Sequence, residues 1–360
     1  MKNNRPDASR RPVLWICILL FYFLFGLPFF PGACMSKPLI VSHAEEIPKH
    51  PGQAELRRQK RRNAYLGNSA FIGSSIGVGQ QMYFNSKGNG FLGNPTMLVR
   101  GCYSFMNDAS SSNEYKLTYK GVPYRARDAI ALCGAKRVFI NMGTNDMWLG
   151  TDGVQKAYVK YLVEIRRNNP EVVIFIESMT HVQAGRENNH LNNAAIDQLN
   201  SFLENFCRQH KDLYYVDVSS ALRSPDGSLR PDCCSDGYVH ISKKGYEIWT
   251  NTLCRYVDHL LDMEESAEKA VETYAETGSE TDYQKAWHAI DLLEKSTVKQ
   301  TLRQRLRKYQ SIQKQASTGR SAPWKYSKSS LTSSISSDPG VHTITYFFPL
   351  RQFLFPGSEP

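Results

Sequence analysis

Between residues 64 and 262 the sequence alternates short, almost continuous apolar runs with segments of helical spacing. The apolar runs lie near residues 69–73, 96–100, 137–142, 172–178 and 213–218. A strand that is apolar along its whole length is buried on both faces, which is typical of a parallel sheet covered by helices on both sides. The alternation therefore predicts an α/β domain over residues 64–262.

The segments between the runs carry apolar residues at every third or fourth position. They include residues 154–165, residues 194–206 and a last helix over residues 242–262. In a parallel α/β sheet, ligands bind beyond the carboxyl ends of the strands. Because Ser75 and Asn145 each follow the end of an apolar run, we expect them to meet at that edge despite their separation in sequence.

The first of these strand ends is the stretch Phe71-Ile72-Gly73-Ser74-Ser75-Ile76-Gly77-Val78-Gly79. It predicts a buried strand that ends in a tight turn and presents one hydroxyl. Glycines at such a turn permit positive φ angles and the close approach of a ligand. Gly/Ser turns are common, so a turn role for Ser75 stays open beside a catalytic one on this stretch alone.

Two later segments supply the groups that a serine nucleophile needs. Gly143-Thr144-Asn145-Asp146 follows an apolar run, and Asp236-Gly237-Tyr238-Val239-His240 lies near the end of the domain. A serine hydroxyl is a poor nucleophile until a base removes its proton, and an imidazole accepts protons near neutral pH. We therefore predict Ser75 as nucleophile, His240 as base and Asp236 as the carboxylate that orients the base.

Acyl transfer also needs hydrogen-bond donors for the oxygen that becomes negatively charged. Three candidate donors are the backbone N–H groups of Ser75 and Gly101 and the side-chain amide of Asn145. Asp146 is expected to be a helix cap or loop brace. Trp148 either lines the substrate cleft or packs in the interior. His181, His190 and His210 are expected on the surface or in loops.

The order of these segments resembles that of the SGNH/GDSL hydrolase family. The family's Gly-Asp-Ser block is matched by Gly73-Ser74-Ser75, with Ser74 in place of the aspartate, and its Gly-x-Asn-Asp block is matched in full by residues 143–146. Gly101 matches the second block loosely. The resemblance covers about residues 69–262. It implies a flavodoxin-like three-layer sandwich with a five-stranded parallel sheet, Ser75 as nucleophile, and Ser75, Gly101 and Asn145 as the oxyanion hole.

The last block departs from the family pattern. The family has Asp-x-x-His, whereas Asp236 stands four positions before His240 and Gly237 stands at three. Two arrangements stay open. A bulge at Gly237 lets the carboxylate reach the imidazole, which gives a triad, or a backbone carbonyl orients His240, which gives a dyad.

The amino-terminal region indicates export. Residues 13–30 are almost wholly apolar and uncharged, and four basic residues precede them, Lys2, Arg5, Arg10 and Arg11. This pattern is typical of a signal peptide or membrane anchor, assigned to residues 1–35, and we favour an uncleaved anchor that contacts the membrane through residues 13–30. Residues 36–63 are predicted to be a polar, solvated linker, and end in a basic cluster.

Beyond the domain, residues 264–315 are rich in Glu, Lys and Ala with helical spacing, and Thr277-Gly278-Ser279 interrupts them. This pattern predicts a helical hairpin extension, as a stalk or a helix pair packed on the domain rather than a specific partner site. Residues 316–360 are rich in Ser, Thr, Pro and Gly and are predicted to be disordered.

Charge and cysteine content argue against other classes of protein. Of the net charge of +10, most belongs to residues 1–70, which hold 11 basic and 4 acidic side chains, so the nearly neutral domain does not favour nucleic-acid binding. Among the eight cysteines no CxxC pair occurs, so we expect no zinc site, no other metal and no cofactor. Whether Cys233 and Cys234 brace the last block or are free thiols stays open.

Together these features predict an extracytoplasmic serine esterase that forms an acyl-enzyme. The resemblance and the leader favour O-acetyl groups of cell-wall or extracellular polysaccharide as the substrate. Two alternatives remain. One is a lipase or thioesterase for longer acyl chains, and the other is a catalytically silent domain that binds a glycan or a protein partner.

Overall fold

A computed structural model describes residues 52–317 of the chain. The compact unit reaches to Gln310, and the last described residues belong to a second unit. The expected leader, with its apolar run at residues 13–30, and residues 318–360 of the expected tail lie outside the described residues. Within residues 52–317, no helix has the length and apolar character needed to cross a membrane.

The described helices and strands are, in chain order, α1 (Gln53–Gly67), β1 (Ser69–Gly73), α2 (Ser75–Ser86), β2 (Thr96–Val99), α3 (Phe105–Ala109), β3 (Leu117–Tyr119), β4 (Val122–Tyr124), α4 (Ala126–Cys133), β5 (Arg137–Asn141), α5 (Gly150–Asn168), β6 (Val173–Glu177), α6 (Asn193–Gln209), β7 (Leu213–Val216), α7 (Lys243–Thr277), α8 (Glu280–Leu292) and α9 (Thr297–Ser317). Short 3₁₀ helices occupy Phe91–Gly93, Thr144–Leu149, Ser220–Leu222 and Pro231–Cys233.

Five strands form one parallel sheet in the order β2-β1-β5-β6-β7. The prediction of a five-stranded parallel sheet is confirmed, and each strand lies within the apolar run assigned to it. The order is that of flavodoxin-like folds, because the chain moves outward from β1 to β2 and then returns to place β5 on the other side of β1. The direction in which successive strands are added to the sheet therefore reverses between the parallel neighbours β1 and β5. A crevice opens at this point, at the carboxyl ends of the strands. The strands β3 and β4 form a separate antiparallel pair.

Helices cover the sheet in two groups. Helices α1 and α2 contact α7, whereas α4 contacts α5 and α5 contacts α6. Right-handed crossovers explain this division, since β1-α2-β2 runs in the direction opposite to the later crossovers and so places its helix on the opposite face. The resulting three layers are those of the predicted sandwich.

A row of aromatic side chains crosses the sheet on the face covered by α2 and α7. Phe71, Phe139, Phe175 and Tyr214 lie at matching positions of β1, β5, β6 and β7. Their neighbouring ring centroids are 4.9, 4.6 and 5.2 Å apart and the rings are stacked. These contacts fix the register of the central strands, because a shift by one residue would move every ring to the other face.

Part of the predicted polar linker is helical, so that prediction is wrong for its last residues. Helix α1 begins at Gln53 and buries Tyr65 and Leu66 near its end. Three of the basic residues that were expected to be solvated pair with acidic residues on α7: Arg58 with Asp262, Arg61 with Glu265 and Arg62 with Asp258. The acidic face of α7, which the local sequence of the linker does not reveal, orders this segment.

The predicted boundary between domain and extension, at residues 262–264, is not a break in structure. Helix α7 runs without interruption from Lys243 to Thr277, because its sequence contains no proline and, after Gly245 in the first turn, no glycine until Gly278. The predicted interruption there is confirmed. Helices α8 and α9 follow, and they bury a second apolar cluster against the end of α7: Ala267, Val271, Tyr274, Ala286, Ile290, Leu293, Leu302 and Leu306.

A buried ion pair attaches this extension to the domain. Glu294, which is 3% exposed, accepts hydrogen bonds from the Tyr65 hydroxyl at 2.6 Å and from Nε of Arg137 at 2.8 Å. The Arg137 guanidinium also lies over the Tyr65 ring, 3.7 Å from its centroid. Because Arg137 is the first residue of β5, the extension packs at the amino end of the sheet, as a packed helix pair and not a free stalk.

We expect Glu294→Gln to lower the free energy of unfolding by about 3 kcal/mol, because removal of one partner leaves the buried Arg137 charge uncompensated. Urea denaturation followed by circular dichroism measures this loss. Glu265→Gln is the matched control, since its pair with Arg61 is exposed on both sides and should contribute little. Equal effects of the two substitutions would show that the buried pair does not hold the extension.

Candidate active site

Ser75 lies where β1 gives way to α2. The strand ends at Gly73, and Ser75 is the first residue of the twelve-residue helix. Backbone N–H groups in the first turn of a helix have no partner within the helix, and the helix dipole places partial positive charge there. The Ser75 hydroxyl and N–H therefore lie at a point suited to negative charge on a ligand.

The glycines of this turn act differently from the prediction. None of Gly73, Gly77 and Gly79 has a positive φ angle. They permit close packing instead. A Cβ atom at Gly77 would lie 2.9 Å from a methyl group of Val99, and one at Gly79 would collide with the Tyr246 hydroxyl. The glycines thus let α2 pack tightly on β2 and on α7.

The structure brings together Asp236 and His240 of the last block and Ser75 of the serine turn. Nε2 of His240 lies 3.0 Å from Oγ of Ser75, although the two residues are 165 positions apart in sequence. Nδ1 of His240 lies 2.6 Å from Oδ2 of Asp236. This chain of hydrogen bonds is the arrangement that lets an imidazole remove a proton from a serine hydroxyl while a carboxylate stabilises the imidazolium.

The extra residue in the last block is accommodated by a turn at Gly237. Its φ angle of +69° lies in the left-handed region that glycine adopts without strain. Oδ1 of Asp236 accepts hydrogen bonds from three backbone N–H groups, those of Tyr238, Val239 and His240, at 2.9 to 3.1 Å. The carboxylate thus reaches His240 in spite of the longer spacing, as the first of the two open arrangements requires.

Burial alone would raise the pKa of Asp236, but the hydrogen bonds from His240 and the backbone outweigh it and hold this pKa well below its ordinary value. The carboxylate therefore stays ionised throughout the neutral and mildly acidic range. An ionised carboxylate against Nδ1 favours the tautomer of His240 that leaves Nε2 free to accept the serine proton.

The predicted donors Gly101 and Asn145 lie on the loops that follow β2 and β5, the two strands on either side of β1. Nδ2 of Asn145 donates to the carbonyl of Tyr103 at 2.9 Å, which uses one of its two hydrogens and fixes the amide. Gly143 has a φ angle of +117°, so the turn that aims Asn145 favours glycine there. Within the described residues the Gly101 N–H has no hydrogen-bond partner, and a Cβ atom at Gly101 would meet nothing within 4 Å.

Asp146 braces these loops, as predicted. Its carboxylate is fully buried and both oxygens accept from the Phe105 N–H at 3.1 Å. Burial raises the pKa of Asp146 to about 6, against the opposing effect of the N–H donors of Phe105 and Met106. The bond ties the loop that carries Gly101 to the turn that carries Asn145.

The three histidines expected on the surface or in loops all lie outside the helices and strands, but two of them are buried. His181 is 1% and His210 6% exposed, whereas His190 is exposed as predicted. His181 is buried because the chain remains in the interior for five residues beyond the end of β6.

His181 belongs to a second constellation of serine, histidine and aspartate. Its Nδ1 lies 2.9 Å from Oγ of Ser219 and its Nε2 2.9 Å from Oδ1 of Asp197, which also pairs with Arg223. Burial, and then the charge of Arg223, lower the pKa of His181. Since Ser219 is only 2% exposed, no substrate reaches this serine, and the group has the character of a structural brace.

Tyr103 is a site residue that no sequence motif indicated, and Trp148 had two possible roles. The Tyr103 side chain is buried against Asp108 and Tyr161, and its carbonyl holds Asn145. The position of Tyr103 two residues after Gly101 was the feature of the sequence that could have indicated its role. Trp148 is 57% exposed, so it does not pack in the interior.

Cys233 and Cys234 are free thiols, as are Cys102, Cys133 and Cys254. Among residues 52–317, no group of three or more metal-ligating side chains is placed to hold a metal ion.

A parallel α/β sheet with a serine, histidine and aspartate hydrogen-bonded in series at its carboxyl edge is typical of serine hydrolases. Comparison with known families agrees with this class. Residues 71–248 match the GDSL-like Lipase/Acylhydrolase family. The chain therefore contains a domain of this family and is an ester-hydrolysing enzyme, as the sequence motifs predicted.

Solved structures with a similar fold include a GDSL-like lipase from Bacteroides thetaiotaomicron, at 16% identity, covering 57% of this chain and 98% of that one with a TM-score of 0.40. A carbohydrate esterase family 3 structure from Talaromyces cellulolyticus has 15% identity, coverage of 54% and 98%, and a TM-score of 0.39. The C-terminal catalytic domain of peptidoglycan O-acetyltransferase A from Streptococcus pneumoniae has 10% identity, coverage of 54% and 94%, and a TM-score of 0.37. No curated protein matches the chain.

We expect Asp236→Asn to lower kcat by roughly 10²–10⁴, because an amide can donate to Nδ1 and so favours the wrong tautomer of His240. Asp232→Asn is the matched control, since Asp232 lies in the same loop and pairs with Arg230 and Lys244 at the surface. Steady-state hydrolysis of a short-chain ester measures both. A loss of less than about tenfold for Asp236→Asn would show that His240 works without the carboxylate.

For Asn145→Ala we expect kcat to fall by roughly 10²–10³ with little change in KM, the usual result of losing one oxyanion donor. Asn107→Ala is the control, because the Asn107 amide also donates to a loop carbonyl, that of Cys102, at 2.6 Å. A change confined to KM would mean that Asn145 binds the ground state of the substrate. Equal losses in the two variants would mean that Asn145 acts only on loop structure.

Proposed function

We propose that this chain is an extracytoplasmic serine esterase that removes short acyl groups, such as O-acetyl groups, from an extracellular or cell-wall polysaccharide. The observation that carries the catalytic part is the continuous hydrogen-bond chain from Ser75 through His240 to Asp236 at the first turn of α2.

In the acylation step, Oγ of Ser75 attacks the ester carbonyl carbon and its proton passes to Nε2 of His240. The carbonyl oxygen becomes negatively charged and accepts hydrogen bonds from the N–H groups of Ser75 and Gly101 and from the free hydrogen of the Asn145 amide. When the tetrahedral intermediate collapses, the bond to the alcohol oxygen breaks, and His240 returns the proton to that oxygen. Throughout, the Asp236 carboxylate stabilises the imidazolium.

In the deacylation step, a water molecule takes the place of the alcohol. His240 accepts one of its protons and the hydroxyl group attacks the acyl carbon. When this second tetrahedral intermediate collapses, the bond between the acyl carbon and Oγ of Ser75 breaks and His240 returns the proton to Oγ. The products are a carboxylic acid and the free enzyme. No step needs a cofactor, because the residues at the site supply the nucleophile, the base and the electrostatic stabilisation.

The openness of the site supports a large hydrophilic alcohol as the leaving group. The side chain of His240 is 44% exposed and Ser75 is half-buried. A polysaccharide chain can lie across such a surface with its hydroxyl groups in water. An ester with a long acyl chain would bind better in an enclosed apolar groove.

The location outside the cytoplasm is supported by the leader, in which basic residues precede the uncharged apolar run at residues 13–30. Membrane attachment through this run would place the esterase beside extracellular polysaccharide. Recovery of the active chain in the cytosolic fraction after cell breakage would contradict this location.

The nucleophile is tested by covalent labelling. We expect a fluorophosphonate probe to label the wild-type chain and not Ser75→Ala, and Ser75→Ala to lose roughly 10⁴–10⁶ in kcat, since serine and base act as a unit. Ser74→Ala is the matched control, because Ser74 is the buried neighbour and its side chain makes no capping hydrogen bond. Retained labelling of Ser75→Ala, or wild-type protein that hydrolyses neither acetate nor longer-chain esters, would overturn the proposed function.

A further inference from the structure

Trp148 is the large exposed side chain nearest in sequence to the reacting groups. It is 57% exposed, whereas Trp249 in the domain interior is 1% exposed. Burial of an aromatic side chain stabilises the fold considerably, and an aromatic side chain that stays in water does not contribute this stabilisation. Within the described residues no packing role accounts for Trp148.

Its position in the 3₁₀ helix Thr144–Leu149 places it beside the candidate oxyanion donor. Side chains at positions i and i+3 of a 3₁₀ helix eclipse one another, so Trp148 projects from the same side as Asn145. The rise of about 2.0 Å per residue puts the two side chains roughly 6 Å apart along the helix axis. The Asn145 amide is fixed by the carbonyl of Tyr103, and Trp148 follows Asn145 by one turn of the 3₁₀ helix.

The turn that carries Trp148 is held rigidly. Asp146 and Met147, which lie between Asn145 and Trp148, are buried, and Asp146 bonds to the Phe105 N–H. Met106, the neighbour of Phe105, is also exposed, at 52%. The exposed indole is therefore carried by a well-anchored turn and not by a loose loop.

We propose that Trp148 is a stacking surface for the alcohol part of the substrate, and that the group it stacks against is the pyranose ring next to the ester. This inference rests on the proposed function. One face of a pyranose ring presents C–H groups that can pack on an indole while the hydroxyl groups at its edge remain hydrated. A fatty acyl chain needs enclosure on several sides, but Trp148 is more than half exposed and its neighbour on the same side is an amide.

Binding is measured first, in the Ser75→Ala background, where the ester is not turned over. The probe is methyl 6-O-acetyl-β-D-glucopyranoside, and 2-hydroxyethyl acetate carries the same acyl group without a ring. Isothermal titration calorimetry should show that Trp148→Ala weakens binding of the sugar ester about tenfold, which corresponds to about 1.4 kcal/mol. Trp148→Phe should keep part of the affinity. Trp287→Ala is the matched control, since Trp287 is 50% exposed on α8, and it should change nothing.

In the active enzyme, Trp148→Ala should raise KM for the sugar ester about tenfold and leave kcat/KM for 2-hydroxyethyl acetate within about twofold. Unchanged binding of the sugar ester, absence of binding to the Ser75→Ala parent, or equal losses on both esters would overturn the inference. So would a loss confined to 2-hydroxyethyl hexanoate, which would place the indole against the acyl chain. If the sugar ester binds through Trp148 but the wild-type enzyme hydrolyses neither acetate, the proposed function fails and the stacking surface stands.

Discussion

The reversal of strand order between β1 and β5 is the constraint on which the rest of this molecule depends. The two strands are hydrogen-bonded neighbours, yet the connections that leave them run to opposite sides of the sheet. Their carboxyl ends are therefore free of a covering crossover, and the turns that follow them face one crevice. One turn begins α2 at Ser75 and the other carries Asn145, so the sheet topology places both residues at the same edge of the sheet.

The imidazole reaches the same crevice through α7. Ser242, the N-cap of this helix, accepts from the Gly245 N–H, and the helix begins three residues after His240. The Tyr246 hydroxyl, one turn into the helix, donates to the carbonyl of Ile76 in the first turn of α2 at 2.7 Å. This buried bond fixes the amino ends of α2 and α7 relative to each other. It is the reason that glycine is needed at Gly79, where the hydroxyl passes close to the α2 backbone.

The contacts that attach the helical extension and the residues of the candidate active site lie at opposite ends of the sheet. The ion pair between Glu294 and Arg137 joins the helical extension to the amino end of β5, whereas the hydroxyl, imidazole and amide lie beyond the carboxyl ends. Structural demands on the extension therefore do not compete with the geometry of the site. Trp148, which lies on the turn after β5, is exposed to solvent at the carboxyl end of the sheet.

The class of fold, the positions of the five parallel strands, and the residue types and order that the site requires can all be predicted from the sequence. These follow from periodicity and strand-end motifs, which are local properties of the chain. The contact between Asp236 and His240 could not be predicted in this way, because it depends on the left-handed turn at Gly237 and on three backbone N–H groups. Likewise only packing decided that His181 is buried and that α1 is ordered. Each of these outcomes depends on contacts between distant segments, whose geometry no short stretch of sequence contains.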